Sequence, residues 1–135
     1  MSEVEHPSLR KAICTASVPN TMLFSGSDAS LLRKNALITA ASLLGSPLPR
    51  LEGNNHPDFH AVVPEGKSAL HSIESIRAAI EASHIAPFEA KAKFFLLESA
   101  ERMQPAAANA LLKTLEEPVL NSYWVLLSTK PKELL

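Results

Sequence analysis

The chain has 135 residues, 46% of them hydrophobic and 20% charged, which is enough to bury one core and too apolar for a disordered segment. Thirteen basic against fourteen acidic residues leave a net charge of −1, so the overall balance draws the chain neither to nucleic acid nor to an anionic membrane, and any DNA contact has to be local or made through a partner. Cys14 is the single cysteine, which excludes an internal disulfide and fits a reducing cytoplasm; no apolar run approaches the ~20 residues of a membrane span, and Met1 to Leu9 is acidic and lacks the apolar stretch of a secretion signal.

In chain order, Pro7 to Ser17 places Leu9, Ile13 and Ala16 at helical spacing and predicts a short amphipathic helix with Cys14 in or beside its packed side. No histidine or second cysteine lies nearby in sequence to lower the thiol pKa. Thr21 to Ser25 reads as a short strand ending at Gly26, followed by a long helix from about Ala29 to Leu44. Strand, glycine and helix form the frame of a phosphate-binding loop, but the chemistry is missing. Counted from Gly26, G-x-x-x-x-G-K-[ST] requires glycine at Leu31, lysine at Leu32 and a hydroxyl at Arg33. The glycine allows the backbone close to the phosphates, the lysine neutralises them and the hydroxyl holds magnesium; leucines supply bulk without charge. Arg33 and Lys34 read more simply as solvent-facing helix charges than as an anion grip.

Gly45 to Asn55 is rich in proline, glycine and asparagine and reads as a loop. His56, Asp58 and His60 alternate before Ala61-Val62-Val63. That trio carries metal-ligand chemistry, yet a half-exposed strand face is the commoner reading of such alternation, and no third strong ligand is in view. After Pro64-Glu65-Gly66, Ser72 is the expected N-cap of a helix with Ile73, Ile76 and Ile80 inward and Glu74 and Arg77 in solvent. Ile85 to Lys91 is a proline-interrupted loop, and Lys93 to Leu97 is a strand suited to burial on both faces, ending in Glu98-Ser99-Ala100-Glu101.

Pro105 suits the first helical position and Pro118 ends the helix that follows. Ala107, Ala108, Leu111, Leu112 and Leu115 are expected to pack, leaving Asn109, Lys113, Glu116 and Glu117 outward. Two carboxylates in the last turn oppose the helix dipole, so this face is not tuned for helix stability. Tyr123 to Leu127 is the last strand, before Ser128-Thr129. Strands alternating with helices predict a three-layer α/β domain around a mostly parallel sheet.

Asn109 to Pro118, Asn-Ala-Leu-Leu-Lys-Thr-Leu-Glu-Glu-Pro, resembles the signature of bacterial DNA polymerase III clamp-loader subunits, AAA+ proteins of the gamma/tau and delta-prime type. The resemblance extends to Thr21–Leu44 as P-loop strand and helix, His56-Pro57-Asp58, Ile76-Arg77, and Ala92–Met103 as the Walker B region. It implies the AAA+ strand order and a Walker B pair at Glu98 and Ser99, where Asp then Glu would hold magnesium and activate water. Ser99 is a poor general base, and Glu101 is expected to point elsewhere. Thr129 falls where the resemblance puts a sensor residue; a strand-end cap before Pro131 explains it equally well.

With both motifs degenerate, the resemblance implies a non-hydrolysing delta-prime-like subunit without bound ATP and, lacking cysteines near residues 45–55, without the zinc module of many relatives. Its expected partners are gamma/tau-type ATPase subunits and a delta subunit, with the sliding clamp and primed DNA met through the assembly. The face of Asn109, Lys113, Glu116 and Glu117 is the expected subunit contact. Residues 1–135 are expected to be the N-terminal part of the AAA+ core, its sheet incomplete at the C-terminal end, with lid and collar domains beyond. An ATP-binding motor using Arg33 or Lys34, and an unrelated small α/β nucleotide-binding protein or enzyme, are the alternatives.

Overall fold

A computed structural model describes residues 19–134; the expected helix at residues 7–17, with Cys14, lies outside them. Four strands, β1 (Thr21–Ser25), β2 (Phe59–Val62), β3 (Lys93–Leu97) and β4 (Ser122–Ser128), form one sheet in the order β1-β4-β3-β2, with every neighbouring pair parallel. Helices α1 (Ala29–Leu44), α2 (Leu48–Glu52), α3 (Ile73–Ser83) and α4 (Pro105–Glu116) join them. The expected α/β architecture and its parallel sheet are therefore present.

The two layers follow from the two-residue period of the strands. Phe94, Leu96, Val125 and Leu127 turn to one face and pack with Leu32, Ala36, Leu37, Ala40 and Leu44 of α1, while Phe95, Leu97 and Trp124 turn to the other and meet Ile76, Ala79, Ala107 and Leu111 of α3 and α4. Every residue of β3 is buried, which is why Lys93–Leu97 reads as a continuous apolar run rather than an alternating one. Lys93 is accommodated at the strand start by donating from Nζ to the Ala82 carbonyl at 2.6 Å, at the C-terminal end of α3.

The helix ends follow local chemistry. Asp28 caps α1 by accepting the Leu31 N–H, and Gly45, at φ 62°, closes it in the left-handed region that a Cβ disfavours. Ser72 caps α3 through the Ser75 N–H, as expected; Ile76 is fully buried, and Ile73 and Ile80 pack at the margin. Pro105 opens α4. Two expectations need correction. Gly45–Asn55 is not all loop, because Leu48–Glu52, with Pro49 in its first turn, forms a short helix that carries Leu51, fully buried, into the layer under α1. Leu112 does not join the packed stripe of α4; it is 45% exposed, while Ala107, Ala108 and Leu111 carry the burial.

The histidine and aspartate trio is also rearranged. β2 begins only at Phe59, so His56 and Asp58 precede the strand, and both are buried rather than half-exposed. His56 Nδ1 accepts the Asp58 N–H at 3.0 Å. The Asp58 carboxylate accepts three backbone N–H groups of the next crossover loop, from Phe88, Glu89 and Ala90, at 2.5, 2.8 and 2.7 Å. His60, on β2, stacks on Phe95 with ring centroids 4.9 Å apart, and Phe95 stacks in turn on Trp124 at 4.5 Å. Among the described residues no three His, Cys, Asp or Glu side chains are gathered for a metal ion.

Burial opposes the charge on Asp58, yet the three N–H donors outweigh it and hold the carboxyl below its ordinary 3.8. The stabilisation is therefore complete above that ordinary value and is lost as pH falls through the lowered one. Replacing Asp58 by Ala strands three donors, and urea unfolding at pH 7 is expected to show a loss of about 3 kcal/mol. D58N is expected to lose less at pH 7 and to flatten the acid limb of the stability profile; a wild-type profile from either variant would show that the loop does not depend on this carboxylate.

Candidate functional site: a phosphate-loop frame closed by its own side chains

In an open parallel sheet, ligands bind outside the carboxyl ends of the strands, at the point where the strand order reverses. Here that crevice lies where β1 leads into α1, beside the ends of β3 and β4. The Gly26 N–H donates to the Ser128 carbonyl at 3.4 Å and ties the ends of β1 and β4 together. The helix that should present free N–H groups to a phosphate is capped internally, with Asp28 Oδ1 3.2 Å from the Leu31 nitrogen. A carboxylate thus occupies the electrostatic place of an anion.

Leu32, in the place of the lysine, is 8% exposed and points into the core beneath α1; a Cβ built on Gly26 would lie 3.5 Å from its Cδ2, in ordinary contact. Leu31 beside it is half-buried and Lys34 exposed. Arg33 differs from the expected solvent-facing charge. Its Nε donates to Glu98 Oε2 at 3.3 Å, across the crevice from α1 to the end of β3. The residue in the hydroxyl position and the residue in the Walker B position are therefore paired with each other. A cation is held at Glu98, and it is a guanidinium of the same chain.

Ser99 has φ 51°, in the left-handed region, and opens the one-turn 3-10 helix Ala100–Arg102. That turn brings back Glu101, expected to point away: its Oε1 accepts the Ser128 hydroxyl at 2.7 Å. Ser128 is buried, and its Oγ accepts the Lys130 N–H at 3.1 Å, so the strand-end cap assigned to Thr129 belongs to Ser128, while Thr129 is exposed. Sequence reasoning missed the Ser128–Glu101 pair. The period-2 count from Trp124, with Leu126 and then Ser128 on the same side, is the signal that would have found it. Asn109, Lys113, Glu116 and Glu117 are all exposed along and just beyond α4; exposed Leu112 lies among them.

The fold and this crevice define the class: a P-loop α/β core of AAA+ type whose phosphate loop lacks its glycine, lysine and hydroxyl. The chain belongs to the family described as DNA polymerase III, delta subunit, whose model matches residues 3–135. It is 43% identical over 82 residues to a DNA polymerase III subunit delta' of Yersinia pestis, covering 60% of this chain and 24% of the relative, and 38% identical over 86 residues to that of Bacillus subtilis, covering 64% and 26%. The chain thus spans about a quarter of the length of these curated relatives. Among solved structures, a DNA polymerase III gamma subunit-related protein of Thermotoga maritima superposes with a TM-score of 0.77 at 26% identity, covering 94% of this chain and 41% of that one. The Bacillus subtilis DNA clamp loader delta protein gives 0.59 at 13% identity over 90% of this chain and 34% of that one, a likeness of fold.

The Arg33–Glu98 pair is partly open to solvent, at 39% and 24% side-chain exposure, so screening keeps its coupling small. A double-mutant cycle of R33A and E98A, read by urea unfolding, is expected to give a coupling of about 0.5 kcal/mol, shrinking in high salt. A coupling of zero at low salt would mean that the contact is not formed in solution.

Proposed function

We propose that this chain is the AAA+ core of a delta-prime-like clamp-loader subunit that works as an interaction module without hydrolysing ATP, helping to place a sliding clamp on primed DNA during chromosomal replication. The observation that carries the reading is the Arg33–Glu98 pair, which spends on each other the two positions that would share a magnesium ion. Asp28 at the helix N-terminus and buried Leu32 in the lysine position add to it: residues 26–34 and 98–99 do not fit a magnesium-bound triphosphate. The kinship to delta' subunits, and the much greater length of those relatives, support a core that works beside further domains.

In this reading the partners are gamma/tau-type ATPase subunits and a delta subunit, and the clamp and DNA are reached through the assembled complex in the cytoplasm. Among the described residues no helix is long and apolar enough to cross a membrane. The outward face of α4 is the proposed subunit contact. Asn109, Leu112, Lys113 and Glu116 recur at three- and four-residue steps along it, and Glu117 sits at its end. Exposed Leu112 supplies the apolar centre that a contact surface needs, and the carboxylates that the helix dipole disfavours would be met by a partner's cations.

Two measurements test the reading. Calorimetry of the intact protein with ATP and ADP, with and without magnesium, is expected to show no saturable heat; magnesium-dependent binding would make the chain a motor subunit instead. The pair K113A and E116A is expected to weaken association with the partner ATPase about tenfold, with thermal unfolding unchanged, since rim contacts are individually modest. Wild-type affinity in a titration would remove α4 from the interface.

A further inference from the structure

His71 is fully buried between the hairpin-like segment 65–71 and the turn that follows β3. Its backbone N–H donates to the Arg102 carbonyl at 3.0 Å, and its ring Nε2 lies 2.6 Å from the Glu98 carbonyl oxygen. A carbonyl can only accept, so the proton sits on Nε2 and the lone pair on Nδ1. Nδ1 is buried without a hydrogen-bond partner among the described residues. A proton added there would be a buried donor with no acceptor within hydrogen-bond distance, a costly unpaired group.

The same two segments are tied a second time, by Arg102, whose guanidinium donates to the Ser68 and Ala69 carbonyls. What they hold is a constrained turn. Ser99 is a non-glycine residue at φ 51°, a conformation that persists only where its surroundings impose it, and Glu98, immediately before it, carries the carboxylate that pairs with Arg33. The bond from His71 to the Glu98 carbonyl is one residue from that strained position, so the ring fixes the peptide that aims the carboxylate. We propose that neutral His71, protonated on Nε2, is the positioning residue for the Glu98–Arg102 turn, and that protonation at Nδ1 releases the turn and with it the Arg33–Glu98 pair.

The charged groups facing the ring are Glu65 from the 65–71 segment and Glu101 from the turn; both favour a proton, as do the backbone contacts at Glu98 and Ser99. Burial opposes the charge and prevails, so His71 lies below the ordinary histidine value of 6.5 and is neutral at pH 7. A lowered histidine contributes stability above that ordinary value, and the contribution is lost as pH falls through the lowered one. The inference concerns the turn alone and stands whether or not the protein loads clamps.

The test uses the intact protein. Nitrogen-15 histidine spectra are expected to show the Nε2–H tautomer for His71 at pH 7.5. As pH falls below 6.5 and the ring titrates, the Arg102 amide, which donates to the Ser99 carbonyl, is expected to lose protection by up to about tenfold per pH unit after correction for intrinsic exchange. The Val125 amide of the core strand β4 serves as the folding reference. H71Q keeps an N–H donor near the Nε2 position and cannot take the extra proton, so its Arg102 protection is expected to be flat across the range; H71F is expected to lose it already at pH 7.5. Should H71F fail to fold, shown by lost protection at Val125, the flatness of H71Q decides. An Nδ1–H tautomer, constant Arg102 protection while the ring titrates, or a wild-type pH dependence in H71Q would each overturn the proposal.

Discussion

The constraint on which the rest of this structure depends is the burial of β3 and β4 on both faces. A strand enclosed by helices above and below has no solvent to satisfy a misplaced polar group, so its length is limited to a continuous apolar run and polar chemistry is pushed to its two ends. Each end is then closed by short-range pairing. At the amino ends, Lys93 is spent on a carbonyl of α3 and Asp58 on three N–H groups of the loop entering β3. At the carboxyl ends, Glu98, Glu101 and Ser128 are each spent on a neighbour.

In the function proposed above, that closure at the carboxyl ends is what separates this domain from a nucleotide-binding one of the same architecture. A phosphate loop needs donors held open toward an absent anion, at a cost in self-repulsion and unsatisfied hydrogen bonds that the ligand offsets on arrival. Here the donors are already matched: Asp28 stands at the helix N-terminus, Arg33 reaches Glu98, and the Ser99 turn carries Glu101 back to Ser128. The crevice retains the frame and the strand-end geometry, and its side chains bind one another. On that proposal, a domain closed in this way serves as a fixed member of an assembly rather than a switching one.

Much of this was legible along the chain. The apolar period and the prolines at either end placed α4, the Ser72 cap placed α3, and the uninterrupted run Lys93–Leu97 announced a strand buried on both faces. These features are legible because they are local: caps, proline geometry and hydrophobic period act within one or two turns of chain. The missing glycine, lysine and hydroxyl at Leu31, Leu32 and Arg33 could likewise be counted directly from Gly26.

Tertiary structure decided what depends on separation in sequence. Arg33 and Glu98 are 65 residues apart and Glu101 and Ser128 are 27 apart, and no local rule pairs them. The strand order places β1 next to β4 rather than β2, which brings the loop after β1 against the turn after β3 and makes the first pair. Asp58 read as an alternating strand residue because its partners lie 30 to 32 positions later, and Leu112 read as core because period alone does not reveal which flank of a helix its neighbours leave uncovered. The sequence by itself determined the elements, their caps and the absence of the phosphate-binding residues, since each is set by chemistry within a few residues. Only the fold decided which charges meet at the strand ends, because that requires distant segments to be brought to one edge of a buried sheet.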